Sequence, residues 1–414
     1  MARIVIAAFG TRGDALPLTD IGCRLQEAGH EVTMAAPTEF ADLISGCGLT
    51  SHPLDVEFGI DAEDLAEANP LKLAWKAISP KGMRATGESL LAALHDVPAD
   101  ALLLSPFAEL AGHPLAEARG IPSVGVRMQP LSTTATHPPA ILGAWSAGSV
   151  LNRAAGRRAT ALFDRVYGKT INGFREQLGL PAMSARTERQ RRTRTQWPIL
   201  HGFSPTVVPR PEDWRPGLEV VGYWWPRRAI GWRPPDDVVS FLESGAPPVF
   251  LGFGSVFLAK DEAARVSDLV LDALRKLGVR GVVQAGWAGL DAADDGILSV
   301  GELPHDWLFG KVAAVVHACG AGTTGAGLRA GLPAVAIPEP GGDQPFWARR
   351  LRELGVSAAT LSRRKLTADR LAAAIDAALS DPSHRTHAER LASAVAAEDG
   401  AGQVVTAVEK LVGA

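Results

Sequence analysis

A short glycine-rich turn is the part of this sequence best suited to hold a charged ligand. Gly320, Gly322 and Gly325 have the spacing G-x-G-x-x-G, and Thr323 and Thr324 add hydroxyl donors within it. An apolar run precedes the turn and a helical pattern follows it. The free N–H groups and partial positive charge of a helix N-terminus would therefore face the turn, and a diphosphate fits such a site.

An Asp-Gln pair, Asp343 and Gln344, stands at the start of a later predicted helix. A carboxylate beside an amide can accept from and donate to neighbouring sugar hydroxyls. A dinucleotide-binding dehydrogenase is an alternative, because Glu339 or Asp343 lies near the expected distance of a ribose-binding acid. The late position of the turn within its domain and the adjacent Gln344 argue against it. A tight turn without any ligand is the other alternative.

A candidate general base lies near the N-terminus. Asp14 is the only carboxylate in "GTRGDALP", which follows the first predicted strand, and ligands of open α/β folds bind at that edge of the sheet. A carboxylate there could take the proton of an attacking hydroxyl if burial makes it more basic. The alternative is that Asp14 caps the following helix or pairs with Arg12.

Composition limits the class of protein. The chain has 414 residues, a net charge of −3 and 46% hydrophobic residues, which is typical of a globular protein without a nucleic-acid partner. No apolar run approaches the ~18 residues of a membrane span, and the N-terminus resembles a strand more than a signal peptide. The three cysteines have no metal-like spacing, so we expect no bound metal and a cytoplasmic protein.

Alternating apolar strands and amphipathic helices predict two α/β halves, each with a doubly wound parallel sheet. The predicted boundaries are 1–206 for the first domain, 207–236 for a proline- and tryptophan-rich linker and 237–390 for the second domain, followed by 391–414. The periodicity predicts helices at Thr367–Leu379 and from His384 to Leu411.

Several segments together resemble family 1 nucleotide-sugar glycosyltransferases, which have the GT-B fold. They are "FGTRGDALPL", "PPVFLGFGSV", "QAGWAGL", "VGELPHDWLFGKVAAVVHACGAGTT" and "GGDQPFWARRLRELGV". These segments follow one another in the same order as in members of the family, and they span both halves of the chain. The likeness is greatest to bacterial antibiotic glycosyltransferases of the vancomycin type and to sterol glucosyltransferases.

The resemblance implies two Rossmann-like lobes facing across a cleft, with the acceptor in 1–206, the donor in 237–390, and the helix of 391–414 crossing back to the first lobe. It makes Asp14 the proposed catalytic base. The donor-binding residues that it implies or that we expect are Thr11, Arg12, Ser255, Trp287, Leu303, His305, His317, Gly320, Gly322, Thr323, Thr324, Asp343 and Gln344.

One departure from the family concerns the diphosphate. Relatives commonly carry a second histidine where this chain has Ala318, and glycine or alanine where it has Cys319. The helix N-terminus would then supply more of the phosphate contacts. The departure also leaves open a non-catalytic protein that binds a nucleotide sugar, and His317 itself could be a core residue.

An apolar, partly aromatic acceptor site is expected between about 55 and 200. Its candidate residues are Trp75, Met83, Phe107, Met128, His137 and Trp145. The arginine-rich stretch Arg186–Arg194 is expected to be a solvated, mobile loop, with contact to an anionic membrane surface or an acidic acceptor as the alternative.

The sequence therefore predicts an inverting, metal-independent glycosyltransferase without a cofactor beyond its nucleotide sugar. It would move a hexose, glucose from UDP-glucose first, to a hydroxyl of a lipophilic polyketide, macrolide, ansamycin, terpenoid or sterol. The alternatives are a dTDP-deoxysugar-dependent antibiotic glycosyltransferase, a nucleotide-sugar epimerase and the non-catalytic binder. The sequence predicts no stable membrane insertion and leaves the oligomeric state open.

Overall fold

The computed structural model describes residues 1–55 and 76–413. Two compact units make up the chain. Unit 1 comprises Met1–Pro139, Ala147–Gly231 and Asp399–Ala414, and unit 2 comprises Ala140–Ser146 and Trp232–Glu398. Each unit contains one parallel sheet with helices around it, as the alternating pattern predicted.

The described helices, in chain order, are α1 (Arg12–Ala15), α2 (Pro17–Glu27), α3 (Ala41–Gly46), α4 (Pro80–Ala93), α5 (Glu109–Arg119), α6 (Ser149–Gln177), α7 (Ala185–Arg194), α8 (Asp236–Glu243), α9 (Lys260–Leu277), α10 (His305–Leu308), α11 (Ala321–Arg329), α12 (Gln344–Glu353), α13 (Ala368–Ser380), α14 (Pro382–Ala396) and α15 (Gly400–Val412). Short 3₁₀ turns lie at Thr38–Phe40, Ala140–Leu142, Phe309–Lys311 and Arg363–Lys365.

The sheet of unit 1 has the order β3-β2-β1-β4-β5-β6-β7. Its strands are β1 (Arg3–Ala7), β2 (Glu31–Pro37), β3 (Thr50–Leu54), β4 (Ala101–Leu104), β5 (Ser123–Arg127), β6 (Ile199–His201) and β7 (Leu218–Val220). All pairs are parallel, and β1 lies between β2 and β4. The chain order changes direction at β1, so the residues that follow β1 lie at the switch point where open α/β sheets bind ligands.

The sheet of unit 2 has the order β10-β9-β8-β11-β12-β13. Its strands are β8 (Val249–Gly252), β9 (Gly281–Gln284), β10 (Ile297–Val300), β11 (Ala314–His317), β12 (Ala334–Ala336) and β13 (Ser357–Thr360). The pairs are again parallel, and β8 and β11 are neighbours at the centre. Every residue of β8, β9 and β11 is buried, as expected for strands covered on both faces.

The last helix, α15, belongs to unit 1 and packs on α2, which confirms the predicted return of the C-terminus. Asp399 caps it by accepting a hydrogen bond from the N–H of Gly402 at 3.0 Å. Gly400 lies against backbone carbonyls of Gly222 and Tyr223, where an added Cβ would come within 2.5 Å of both oxygens. Glycine is therefore needed for this close approach.

The unit boundaries differ from the predicted domain boundaries. Residues 207–231 belong to unit 1, because β7 joins its sheet and Trp214 and Trp224 are buried there. The helix predicted from His384 to Leu411 is divided into α14 and α15, and the boundary falls at Asp399 instead of 391. The short segment Ala140–Ser146 belongs to unit 2. The proline and tryptophan content of 207–236 indicated a linker, whereas the rings of Trp214 and Trp224 belong to the core of unit 1.

The arginine-rich stretch is not a loop. It forms α7, and three of its arginines pair with buried or half-buried acids of unit 1. Arg192 contacts Glu109 at 3.1 Å, and Arg191 contacts Glu117 at 2.8 Å. The predicted solvated loop was wrong, because a charge run does not show which acids elsewhere in the chain will neutralise it.

Candidate functional site

The predicted donor residues of unit 2 lie after consecutive strands of its sheet. Ser255 follows β8, Trp287 follows β9, Leu303 and His305 follow β10, and the glycine-rich turn follows β11. Asp343 and Gln344 follow β12. Because the carboxyl ends of parallel strands meet at one edge, the fold brings these residues to the same edge of the sheet. Thr11 and Arg12 follow β1 and belong to unit 1.

The glycine-rich turn leads from β11 into α11. Gly320 is the N-cap with extended backbone, so the first N–H groups of α11 have no partner within the helix. An added Cβ at Gly320 or Gly322 would meet no atom within 4 Å. Thr324 is buried, and its hydroxyl has no hydrogen-bond partner among the described residues. The turn therefore offers donors and open space together, as a phosphate group requires.

Cys319 makes the turn by adopting a left-handed conformation, with φ of +63°. That region favours glycine and costs a residue with a side chain about 1–2 kcal/mol. Burial raises the pKa of the Cys319 thiol, and the nearby charge of Asp343 raises it further, so Asp343 lies near the turn.

His317 ends β11 and is 1% exposed. Its Nδ1 accepts a hydrogen bond from the N–H of Cys319 at 3.1 Å. Burial lowers the pKa of His317 to about 3, with a further contribution from His305, so the ring is neutral near pH 7. A neutral imidazole that accepts at Nδ1 carries its hydrogen on Nε2. His317 can therefore donate one hydrogen bond without adding a charge.

The Asp-Gln pair stands at the start of α12, where Asp343 is the N-cap and Gln344 is the first helical residue. Both side chains are half-buried. Asp343 Oδ2 accepts a hydrogen bond from the indole Nε1 of Trp347 at 2.8 Å. Gln344 Oε1 accepts one from the N–H of Glu339 at 2.9 Å. Sequence reasoning missed Trp347, although its spacing of four residues from Asp343 placed both on one face of a helix.

The residues expected near a nucleobase have different surroundings. Trp287 packs against Phe257, with ring centroids 4.7 Å apart, and Phe257 is 52% exposed. This exposed aromatic was not predicted. Leu303 is half-buried, whereas the ring of His305 stacks on Phe309 at 4.5 Å. The structure thus gives His305 a packing contact in addition to its predicted place near the base.

Asp14 is the third residue of α1, where its side chain forms a capping box with Thr11, so it caps α1 and not α2. Its Oδ2 accepts hydrogen bonds from the N–H and the hydroxyl of Thr11, at 2.8 and 3.1 Å. Although Asp14 keeps some exposure, desolvation of its carboxyl raises the pKa above the ordinary value, against the effect of hydrogen bonds from Thr11 and Gln129. A raised pKa makes the carboxylate a better base.

Gly10 determines how closely Asp14 can approach the end of β1. Its φ is +129°, and an added Cβ would lie 2.3 Å from Asp14 Oδ2. A larger residue at position 10 would therefore displace the carboxylate or strain the backbone. The sequence "FGTRGD" thus supplies both the Asp14 carboxylate and the space that it occupies.

The described candidates for the acceptor site differ in burial and in the unit to which they belong. Met83 and Met128 are buried, and Met83 belongs to the core of unit 1, against which half-buried Phe107 packs. His137 is buried and its Nδ1 donates to the carbonyl of Pro138 at 2.9 Å. Trp145 is 43% exposed and belongs to unit 2. Trp75 lies outside the described residues. Met83 therefore has a core contact, and its acceptor role stays a prediction, since composition cannot separate core methionine from pocket methionine.

Neither a metal cluster nor a membrane-spanning helix occurs in the described part of the chain. No group of three or more His, Cys, Asp or Glu residues there could hold a metal ion. Within residues 1–55 and 76–413, no helix combines the length and the apolarity needed to cross a bilayer.

Comparison with known proteins identifies the family. Residues 269–411 match the family model of the erythromycin biosynthesis protein CIII-like C-terminal domain. The chain is 32% identical to sterol 3-beta-glucosyltransferase UGT80B1 of Arabidopsis thaliana, over 99% of this chain and 68% of that protein. It is also 32% identical to O-mycaminosyltylonolide 6-deoxyallosyltransferase of Streptomyces fradiae, over 99% of this chain and 97% of that protein.

Solved structures agree with the fold. The glycosyltransferase of kitacinnamycin has a TM-score of 0.73 at 18% identity and covers 99% of both chains. The calicheamicin glycosyltransferase CalG4 has a TM-score of 0.71 at 18% identity, over 100% of this chain and 98% of that one. The two parallel sheets match the GT-B fold of these structures, and the relatives at 32% identity make the chain a glycosyltransferase. The chain belongs to family 1 of these enzymes.

Proposed function

We propose that this glycosyltransferase moves a hexose, glucose from UDP-glucose first, to a hydroxyl group of a lipophilic small molecule with inversion at the anomeric carbon. The observation that supports the diphosphate site of the donor is the turn at 318–324. The first N–H groups of α11 have no partner within the helix, a Cβ added at Gly320 or Gly322 would meet open space, and the neutral His317 ends the preceding strand. Together these donors suit a diphosphate.

In the proposed reaction Asp14 takes the proton of the acceptor hydroxyl. The acceptor oxygen then forms a bond to the anomeric carbon while the bond from that carbon to the diphosphate oxygen breaks. The N-terminus of α11 and the Nε2–H of His317 stabilise the negative charge that develops on the leaving diphosphate. These donors are fixed before reaction, so the proposal needs neither a metal ion nor a cofactor.

The lipophilic acceptor rests on two supports. The relatives named above act on sterols and on O-mycaminosyltylonolide, according to their names. In unit 1, α6 exposes a run of large apolar side chains, with Leu162 63% and Phe163 39% exposed. Exposed apolar surface of this kind is typical of sites for apolar ligands.

A second candidate donor is a dTDP-deoxysugar. The Streptomyces fradiae relative is named as a deoxyallosyltransferase. The similar structures SsfS6 and VinC were both solved with thymidine diphosphate (dTDP). The Asp343–Gln344 pair favours a sugar that keeps its hydroxyls, because an unpaired buried group costs about 1–3 kcal/mol.

Isothermal calorimetry against UDP, dTDP, UDP-glucose and NAD, without added metal, tests the donor. We expect micromolar binding of UDP and none of NAD. Stronger binding of dTDP would select the second candidate, and failure of both nucleotides would contradict the proposed function. The Asp14→Asn variant should bind UDP as the wild type does and lose transfer to any acceptor found by screening.

A further inference from the structure

The two side chains proposed to contact the donor sugar are each held by a second group. Asp343 is held through Oδ2 by the indole of Trp347, at 2.8 Å. Trp347 is fully buried and packs edge-on against Phe346, with ring centroids 5.2 Å apart. The indole can only donate, so it keeps Oδ2 of Asp343 as an acceptor and fixes the plane of the carboxylate.

Gln344 is held so that it can donate to a ligand, whereas Asp343 is held as an acceptor. Its Oε1 accepts from the backbone N–H of Glu339, which leaves the Nε2 hydrogens as the atoms that Gln344 can offer to a ligand. Glu339 is itself fixed, because its carboxylate binds the guanidinium of Arg363, with Nη2 and Oε2 3.0 Å apart. Arg363 also binds Glu262, so α9 supports the same arrangement.

We propose that Trp347 is a positioning residue that determines which donor sugar is accepted. It holds Asp343 as a hydrogen-bond acceptor next to Gln344, which is held as a donor. This pair matches a sugar with two neighbouring hydroxyls, one of which donates and one of which accepts. A sugar that lacks either hydroxyl leaves one of the two side chains unsatisfied. The proposal rests on the proposed function. It adds to that function the residue that determines which sugar hydroxyl donates a hydrogen bond and which accepts one.

The Trp347→Phe variant tests this role, because it keeps an aromatic ring and removes only the N–H donor and part of the volume. We expect the dissociation constant for UDP-glucose to rise by at least about tenfold, the equivalent of one hydrogen bond to a charged group. The dissociation constant for UDP, which lacks the sugar, should change by less than about twofold. If Trp347 had a purely structural role, the substitution would weaken the binding of UDP and of UDP-glucose equally. If dTDP is the nucleotide bound, dTDP and dTDP-glucose take their places.

Trp224→Phe is the matched control. Trp224 is 1% exposed in the core of unit 1, and its indole nitrogen has no hydrogen-bond partner among the described residues. The same loss of ring volume there should lower the melting temperature without changing the affinity for either ligand.

Substitution of Asp343 provides a second test that leaves Trp347 intact. Asparagine can still accept the indole hydrogen bond and alanine cannot, so Asp343→Asn should keep more affinity for UDP-glucose than Asp343→Ala. Trp347→Phe should add little to the loss already caused by Asp343→Ala, because both remove the same contact. The positioning role alone would be overturned if Trp347→Phe lost affinity for UDP and UDP-glucose equally. It would also be overturned if Asp343→Asn and Asp343→Ala lost equal affinity for UDP-glucose. Failure of the wild type to bind UDP and dTDP would overturn the proposed function as well.

Discussion

Replacement of Gly322 by alanine should stabilise the protein and weaken its ligand binding at the same time. Gly322 is the second residue of α11, and an added Cβ there would meet no protein atom within 4 Å. Alanine is better than glycine in a helix by about 0.5–1 kcal/mol. For a unit of this size that corresponds to a rise in melting temperature of about 1–4 °C.

The same methyl group would occupy the space in which a diphosphate oxygen approaches the helix N–H groups. Loss of one hydrogen bond to a charged group costs about 1.5–3 kcal/mol, which is about a 10-fold to 150-fold rise in the dissociation constant. The opposite signs of the two effects separate a ligand site from a structural turn. In a structural turn only the stabilisation would be observed.

The assay combines thermal melting with calorimetric titration of UDP. Gly168→Ala is the matched control, because Gly168 also lies in a helix, α6, and an added Cβ there also meets no atom within 4 Å. It should raise the melting temperature and leave UDP binding unchanged. Unchanged UDP affinity in Gly322→Ala would refute the assignment of the turn as a diphosphate site.

Three further predictions concern buried or strained groups. Cys319→Gly should raise the unfolding free energy by about 1 kcal/mol in urea titrations, because glycine removes the cost of the left-handed backbone; a loss of stability would contradict this. Burial raises the pKa of Asp14, so its contribution to stability is present below the unfolded pKa near 3.8 and lost as pH rises through the folded pKa. Asp14→Asn should therefore raise the melting temperature at pH 8 and give no gain at pH 3. Burial lowers the pKa of His201 to about 3, so wild-type stability should fall between pH 6.5 and 3 by up to about 1.4 kcal/mol per pH unit, and by less in His201→Gln.

Sequence patterns predicted the parts of the fold that depend on local periodicity. The helix predicted at Thr367–Leu379 lies at Ala368–Ser380, because regular apolar spacing defines it. Short strands at the sheet edges, including β7, were missed because three residues carry little pattern. The linker was misassigned because proline excludes helix but does not exclude a strand or a packed loop.

The sequence predicted which residues form the candidate site, but it predicted only some of the contacts that hold them in place. The glycine turn, Asp14 and the Asp-Gln pair stand where the carboxyl ends of strands place them, as the sequence pattern implied. The groups that hold them, such as the Trp347 indole and the Glu339 N–H, depend on side-chain contacts that spacing alone does not specify. The acceptor residues stay predictions, because an apolar residue has the same appearance in a core and in a pocket.

Local rules of stability are broken most densely between His317 and Thr324. A buried histidine is kept neutral, a cysteine adopts a glycine-type conformation, a helix begins with glycine, and a threonine hydroxyl is buried without a partner among the described residues. The left-handed cysteine and the buried hydroxyl cost stability, and neither is needed to connect a strand to a helix. A ligand with several strong acceptors would pair with the first N–H groups of α11 and with the Nε2–H of the histidine. These donors, which lie within eight residues, support the proposal that the turn binds a diphosphate.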